Sequence, residues 1–184
     1  KCYDPAGYQM TDKAALETYS FIRQTDMFRD IKKISFDEAL EKGMVEYIPE
    51  SLTEEFYSLV LKKAINPDVS KESRLRVIYT PLNGTGNIPV RTILDRAGFK
   101  KVSVVREQEN PDGNFPTCSY PNPENRAALD VAIACAEEIG AEFVLATDPD
   151  CDRLGVAVRD RTGNFQVLTG NQIGCILLHY LLST

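Results

Sequence analysis

The period of apolar and polar positions changes near residue 74. Before that point the pattern is helical. Ala15, Leu16, Tyr19 and Ile22 recur at turn spacing over 11–23, behind a capping Thr11-Asp12. Residues 36–41 read as a short helix stopped by Gly43, and 45–48 as an edge strand. Leu52, Phe56, Leu59, Val60 and Leu61 mark a third helix running from Ser51 to about residue 65, with Ser51 and Glu54 as a capping box and Asn66-Pro67-Asp68 as its breaker. Residues 1–10 read as an extended piece or turn, and 25–34 are mixed. Beyond residue 74, short apolar runs alternate with helical ones. The runs 75–79, 102–105 and 143–147 predict buried strands. Between them lie a glycine-rich turn at 83–87, a helix from Pro89 to Gly98, a polar loop over 107–123, and an amphipathic helix over 124–139 followed by Gly140. Residues 154–158 and 165–168 form a hairpin across Asp160-Arg161-Thr162-Gly163-Asn164, and 170–182 is a final helix.

Strands alternating with helices predict an α/β fold: a three-layer α/β/α arrangement on a mostly parallel sheet, closed by a C-terminal antiparallel hairpin. Ligands of such sheets gather outside the carboxyl ends of the strands, which selects the loops 80–87, 107–123 and 148–153. The last of these carries the strongest chemistry. Asp148, Asp150 and Asp152 stand at alternate positions after a buried strand, and Arg153 follows. Extended backbone would turn all three carboxylates to one side. Their mutual repulsion calls for a cation, and an oxygen-only donor set suits a hard one, Mg2+ before Mn2+ or Ca2+. The blander reading is a solvated Asp/Pro turn. An EF-hand is excluded, because the positions that would need Gly and Glu hold Arg153 and Arg159. Arg153 reads either as a counter-ion pinning the loop or as a phosphate clamp beside the metal; the clamp is preferred, since Mg2+ would already neutralise the carboxylates.

Other candidates are weaker. Gly84-Thr85-Gly86 lacks the spacing of a dinucleotide or P-loop fingerprint and reads as a tight structural turn in preference to a phosphate cradle. Cys151, among anionic neighbours, reads as a buried filler, not a nucleophile. His179, the one histidine, falls among leucines and is a helix-face residue, so a Ser/His/Asp arrangement has no support.

Composition narrows the class without deciding it. Hydrophobic residues make up 43% and charged residues 26%, and the net charge is −6, which argues against a nucleic-acid partner. The longest apolar stretch, 173–182, is too short to cross a bilayer, so no membrane partner is expected. Five scattered cysteines with no Cys-x-x-Cys pair fit a reducing, cytoplasmic setting. The chain starts at Lys1, and a fragment is expected.

The segment Thr147-Asp148-Pro149-Asp150-Cys151-Asp152-Arg153 resembles the metal loop of the α-D-phosphohexomutases, the phosphoglucomutase/phosphomannomutase family. Thr80-Pro81-Leu82-Asn83-Gly84-Thr85-Gly86, Asn114-Phe115-Pro116, Pro121-Asn122-Pro123-Glu124 and Leu168-Thr169-Gly170-Asn171-Gln172 resemble it too, in the same order. The resemblance implies domain II of four over 11–168, the tail of domain I at 1–10 and the first helix of domain III at 169–184. The phosphoserine loop Thr-Ala-Ser-His-Asn-Pro, the sugar-binding Gly-Glu-x-Ser-Gly loop and the phosphate-binding fourth domain would lie in absent parts. It further implies an isomerase of carbohydrate metabolism, a phosphoprotein, that moves a phosphoryl group between two oxygens of a hexose or pentose phosphate through a bisphosphorylated sugar. Asp148, Asp150 and Asp152 would hold Mg2+ and Arg153 would assist catalysis. The partners would be the phosphosugar and domains I, III and IV, and the isolated chain would be inactive. Two rivals stand beside this reading. One is a haloacid-dehalogenase-type phosphatase with Asp148 as nucleophile; the other is a non-catalytic metal-binding or interaction module. A homodimer through the apolar stripe Ile173, Ile176, Leu177, Tyr180 and Leu181 is a further expectation.

Overall fold

The computed structural model describes residues 2–184. Two compact units divide the chain, one up to Ile48 and one from Pro49 to Thr184. The first holds α1 (Asp12–Ile22) and α2 (Phe36–Glu41). Thr11 occupies the cap position of α1 without a side-chain hydrogen bond, whereas Ser35 caps α2 by accepting from the Glu38 N–H. Leu16, Tyr19, Phe21 and Ile22 are exposed, so the apolar stripe of α1 finds no core within its own unit. The edge strand expected at 45–48 is not formed. A strand needs a partner ladder, and this unit offers only the isolated Tyr3–Gln9 bridge among the described residues.

The second unit is built on a five-stranded sheet in the order β2-β1-β3-β4-β5. The strands are β1 (Val77–Thr80), β2 (Val102–Val104), β3 (Phe143–Thr147), β4 (Leu154–Arg159) and β5 (Phe165–Leu168). β1 pairs parallel with β2 and β3; β4 runs antiparallel to β3 and β5 antiparallel to β4. The expected α/β sheet with an antiparallel C-terminal hairpin is therefore present, mixed in direction and covered by helices on both sides. The helices of this unit are α3 (Glu50–Leu61), α4 (Pro67–Glu72), α5 (Asn87–Ala97), α6 (Arg126–Ile139) and α7 (Gly170–Ser183). From β1 the chain crosses to β2 through α5, then back past β1 to β3 through α6. Right-handed crossovers in opposite directions put α5 and α6 on opposite faces.

The core lies under α6. Its residues Leu129, Ala132, Ile133 and Ala136 are buried against Ile78, Val144, Ala146 and Ala157 of the sheet. Alanines at helical spacing let the helix approach closely, while Leu129 and Ile133 each contribute about 1.5–3 kcal/mol by leaving water. Gly140, at a left-handed φ of 66°, ends this helix where a side chain would be strained. Three local expectations are corrected. The third helix begins after Pro49 with no side-chain cap, so Ser51 and Glu54 form no capping box. Asn66-Pro67-Asp68 breaks one helix but also opens α4, because proline suits a first helical position. α5 starts at Asn87 with Gly86 as its cap, which places Pro89 within the first turn, where its missing N–H is harmless. No helix among the described residues is long and apolar enough to cross a membrane.

Candidate functional site

β3 delivers Asp148 at its carboxyl end, and six residues later the chain re-enters the sheet as β4. The connection is a tight turn, not extended backbone. The Cys151 N–H donates to the Asp148 carbonyl at 2.9 Å, with Pro149 at the position where its fixed φ favours such a turn. Cys151 itself sits at a left-handed φ of 61°. Convergence of the three carboxylates thus comes from this turn, and strand alternation has no part in it. One oxygen from each of Asp148, Asp150 and Asp152 lies within 4.8 Å of the other two. Cys151 is half-buried, not a fully buried filler as expected.

The three carboxylates are held differently. Asp148 is buried; its Oδ1 accepts from the Asp152 N–H at 3.0 Å and the Arg153 N–H at 2.9 Å. Burial pushes its carboxyl above the ordinary aspartate range, the neighbouring Asp150 adds to the rise, and the two backbone N–H groups oppose it. Asp150 and Asp152 are exposed. Arg153 places its Nε 3.8 Å from Asp148 Oδ2, with more than half of its side chain open to solvent. It is therefore beside the acidic turn and able to reach both a carboxylate and an incoming anion.

The donor set fits a hard cation. At an Mg–O distance of roughly 2.1 Å, two ligand oxygens lie at most about 4.2 Å apart, so the carboxylates need only close by a fraction of an ångström. Such a cation would also offset the Asp150 repulsion that adds to the effect of burial on Asp148.

Of the other two loops selected from the sequence, 80–87 meets this turn and 107–123 meets 80–87 and β4, and their contacts explain residues that sequence reasoning left aside. A Cβ on Gly84 would run into the backbone of Pro149, and the Thr85 N–H donates to the Pro149 carbonyl at 2.9 Å. The glycines serve close approach between two loops, in line with the structural reading of this motif. Asn83, at a left-handed φ of 56°, donates from its side chain to the carbonyls of Asn110 (2.9 Å) and Glu107 (3.3 Å). Behind it, the fully buried Gln108 accepts from Thr80 Oγ1 at 2.6 Å and donates to Thr117 Oγ1 at 3.0 Å. The long loop is thereby tied to the end of β1. Its far end is tied by Gly155, where any side chain would collide with Pro123. Under the acidic turn, Tyr79 and Thr147 share a hydrogen bond of 2.8 Å, and burial pushes the Tyr79 hydroxyl up to about 12. The only signals for these residues in the sequence were the Gly-x-Gly spacing and the clustering of polar residues at strand ends. His179 lies on the terminal helix, away from this constellation in the chain, and Cys2, Cys118, Cys135, Cys151 and Cys175 are all free thiols.

Comparison with known proteins finds relatives of the chain. Residues 54–163 match the family model described as phosphoglucomutase/phosphomannomutase, alpha/beta/alpha domain II. A probable phosphomannomutase of Haemophilus influenzae is 40% identical over 144 residues, covering 76% of this chain and 30% of that protein. A phosphoglucomutase of Staphylococcus saprophyticus is 32% identical over 178 residues, or 97% of this chain and 32% of its own length. A phosphoribomutase of Saccharomyces cerevisiae is 36% identical over 152 residues, covering 78% of this chain and 24% of that protein. The chain spans about a third of the length of the curated relatives it matches, or less.

Proposed function

The chain belongs to the phosphoglucomutase/phosphomannomutase family, matching its second domain over more than half of its length, and from that premise we propose that it is the Mg2+-binding central part of a phosphosugar mutase. The observation that carries the reading is the convergence of Asp148, Asp150 and Asp152 within 4.8 Å at the carboxyl edge of the sheet, with Arg153 alongside. In this reading residues 1–10 are the tail of the first domain, 11–168 the second, and 169–184 the opening helix of the third. The substrate class is a hexose or pentose phosphate and its bisphosphate, and the compartment is the cytoplasm, consistent with the five free thiols.

The reaction proposed is transfer of a phosphoryl group from a phosphoserine on the first domain to one sugar oxygen, and return from the other oxygen to the serine. One P–O bond breaks and one forms in each half, so the phosphate count is unchanged. Bound Mg2+ would supply positive charge beside the phosphoryl oxygens. This chain contributes the rest of that electrostatic half. Asp148, fixed by two backbone N–H groups, anchors the turn; Asp150 and Asp152 complete the donor set; Arg153 presents a guanidinium to the phosphate. The serine lies outside the chain, so the 184 residues alone turn over no phosphosugar.

The phosphatase alternative asks Asp148 to attack phosphorus. Its Oδ1 is already occupied by two N–H donors, and the side chain is buried. Both facts favour an anchoring role.

The test is calorimetric titration of the chain with glucose 1,6-bisphosphate, with and without Mg2+. Binding is expected only with the metal, is abolished in Asp150→Asn, and weakens at least about tenfold in Arg153→Ala, the loss of a charge-assisted contact. Binding that is indifferent to Mg2+ and to Asp150 contradicts the proposal.

A further inference from the structure

We infer that Tyr79 and Thr147 are positioning residues for the acidic turn: their buried hydroxyl pair, clamped under Gly86, sets the direction in which Asp148 leaves the sheet and so how tightly the three carboxylates grip a cation. The inference deepens the proposed metal site and rests on it.

Tyr79 belongs to β1, between β2 and β3, and is wholly buried; Thr147 is the last residue of β3. Their hydroxyl oxygens are 2.8 Å apart. Phe and Val in their places would fill the same space, and exchanging both hydrogen-bonding partners for apolar groups of like shape is nearly neutral for stability. Fold stability therefore gives little reason for the pair. What the pair does have is a decisive address. A Cβ on Gly86 would run into the Tyr79 hydroxyl and would lie 2.7 Å from Thr147 Oγ1 and 3.0 Å from Cys151 Sγ. Side chains from β1, from β3 and from the acidic turn thus meet at one point beneath the start of α5. Thr147 precedes Asp148, and Cys151 lies between Asp150 and Asp152. A shift at this point is passed to all three carboxylates through single peptide units. A hydrogen bond with one allowed geometry pins that point where an apolar contact would let it slide.

The experiment measures Mn2+ affinity of the intact 184-residue chain by electron paramagnetic resonance, with thermal unfolding recorded on the same samples. Thr147→Val and Tyr79→Phe are expected to bind Mn2+ about 10–100-fold more weakly, the range found when groups that orient metal ligands are removed. Thr147→Ser, which keeps the hydroxyl, is expected to stay near wild type, and Gly86→Ala to lose affinity although neither hydroxyl is touched. Wild-type affinity in folded Thr147→Val and Tyr79→Phe overturns the inference and leaves the metal reading standing. A fall in unfolding temperature with unchanged affinity does the same, since a purely structural role predicts it. Equal losses in Thr147→Ser and Thr147→Val also overturn it. If Tyr79→Phe does not fold, the Thr147 pair decides alone. Absence of Mn2+ binding by the wild-type chain overturns both readings together.

Discussion

Replacing Gly84 by alanine tests whether the glycine-rich loop and the acidic turn form one rigid body. Gly84 does not use a left-handed φ, so alanine is conformationally permitted and the effect is steric alone. The new methyl would sit inside the contact distance of the Pro149 Cα, 2.5 Å from its carbonyl oxygen and 2.8 Å from its carbonyl carbon. Carbon–carbon contacts rest at about 3.5–4.0 Å, so clearing the Pro149 Cα, the nearest of these atoms, parts the two loops by roughly 1 Å or more. The Thr85 N–H to Pro149 carbonyl bond, now 2.9 Å, would stretch to about 3.9 Å and be lost. Overpacking costs about 1–3 kcal/mol and the hydrogen bond about 1 kcal/mol, giving about 2–4 kcal/mol together. For a chain of this size that is a fall in Tm of about 4–16 °C. Because Pro149 lies between Asp148 and Asp150, divalent-cation affinity should fall as well. Differential scanning calorimetry and an Mn2+ titration read the two effects. Gly113→Ala is the control: no atom lies within 4 Å of its new methyl, and a change within about 0.5 kcal/mol is expected. A Gly84→Ala protein that melts within a degree of wild type, or a control that melts equally low, refutes the reasoning.

Gln108→Leu strips the buried Thr80 hydroxyl of its acceptor and cuts the tie to Thr117; urea unfolding should show a loss of about 1–3 kcal/mol, and an unchanged midpoint would contradict the role given to Gln108. Glu142 is held below the ordinary glutamate range chiefly by the Arg76 N–H, 3.1 Å from its carboxylate. Because the folded form holds its proton less tightly than the unfolded one, its stabilisation is complete above the unfolded glutamate pKa and is lost as pH falls through the lower folded value. Glu142→Gln should therefore flatten the acid limb of the stability–pH curve, and a limb of unchanged slope would count against it. Asp148 is raised, so its ionised form opposes the empty fold and that stability declines as pH climbs through its folded value. Asp148→Asn, which keeps an acceptor for the two N–H groups, should raise the neutral-pH Tm of the metal-free chain while abolishing metal binding, and a lowered Tm would contradict this.

The sheet and its loops were readable from the chain because buried strands and amphipathic helices write different periods, and because glycine and proline punctuate their ends. The acidic trio was readable from residue type and position, though the expected cause was wrong. Extended backbone would have aligned the three carboxylates, whereas a turn with Cys151 in a left-handed conformation gathers them. Other features had no local signal. Gly84, Gly86 and Gly155 answer to Pro149, Thr147 and Pro123, contacts made across the fold at separations that no periodicity reports. Gln108 looked like one more polar loop residue and proves to be wholly buried. The strand expected at 45–48 shows the opposite failure, a plausible pattern with no neighbouring strand to complete it.

The most direct measurement is anomalous diffraction from crystals of the chain soaked in Mn2+. The account predicts a single strong peak at the β3–β4 turn, about 2.1–2.2 Å from an oxygen of each of Asp148, Asp150 and Asp152. A turn left empty at saturating Mn2+, or an ion held elsewhere with these three carboxylates unengaged, contradicts it.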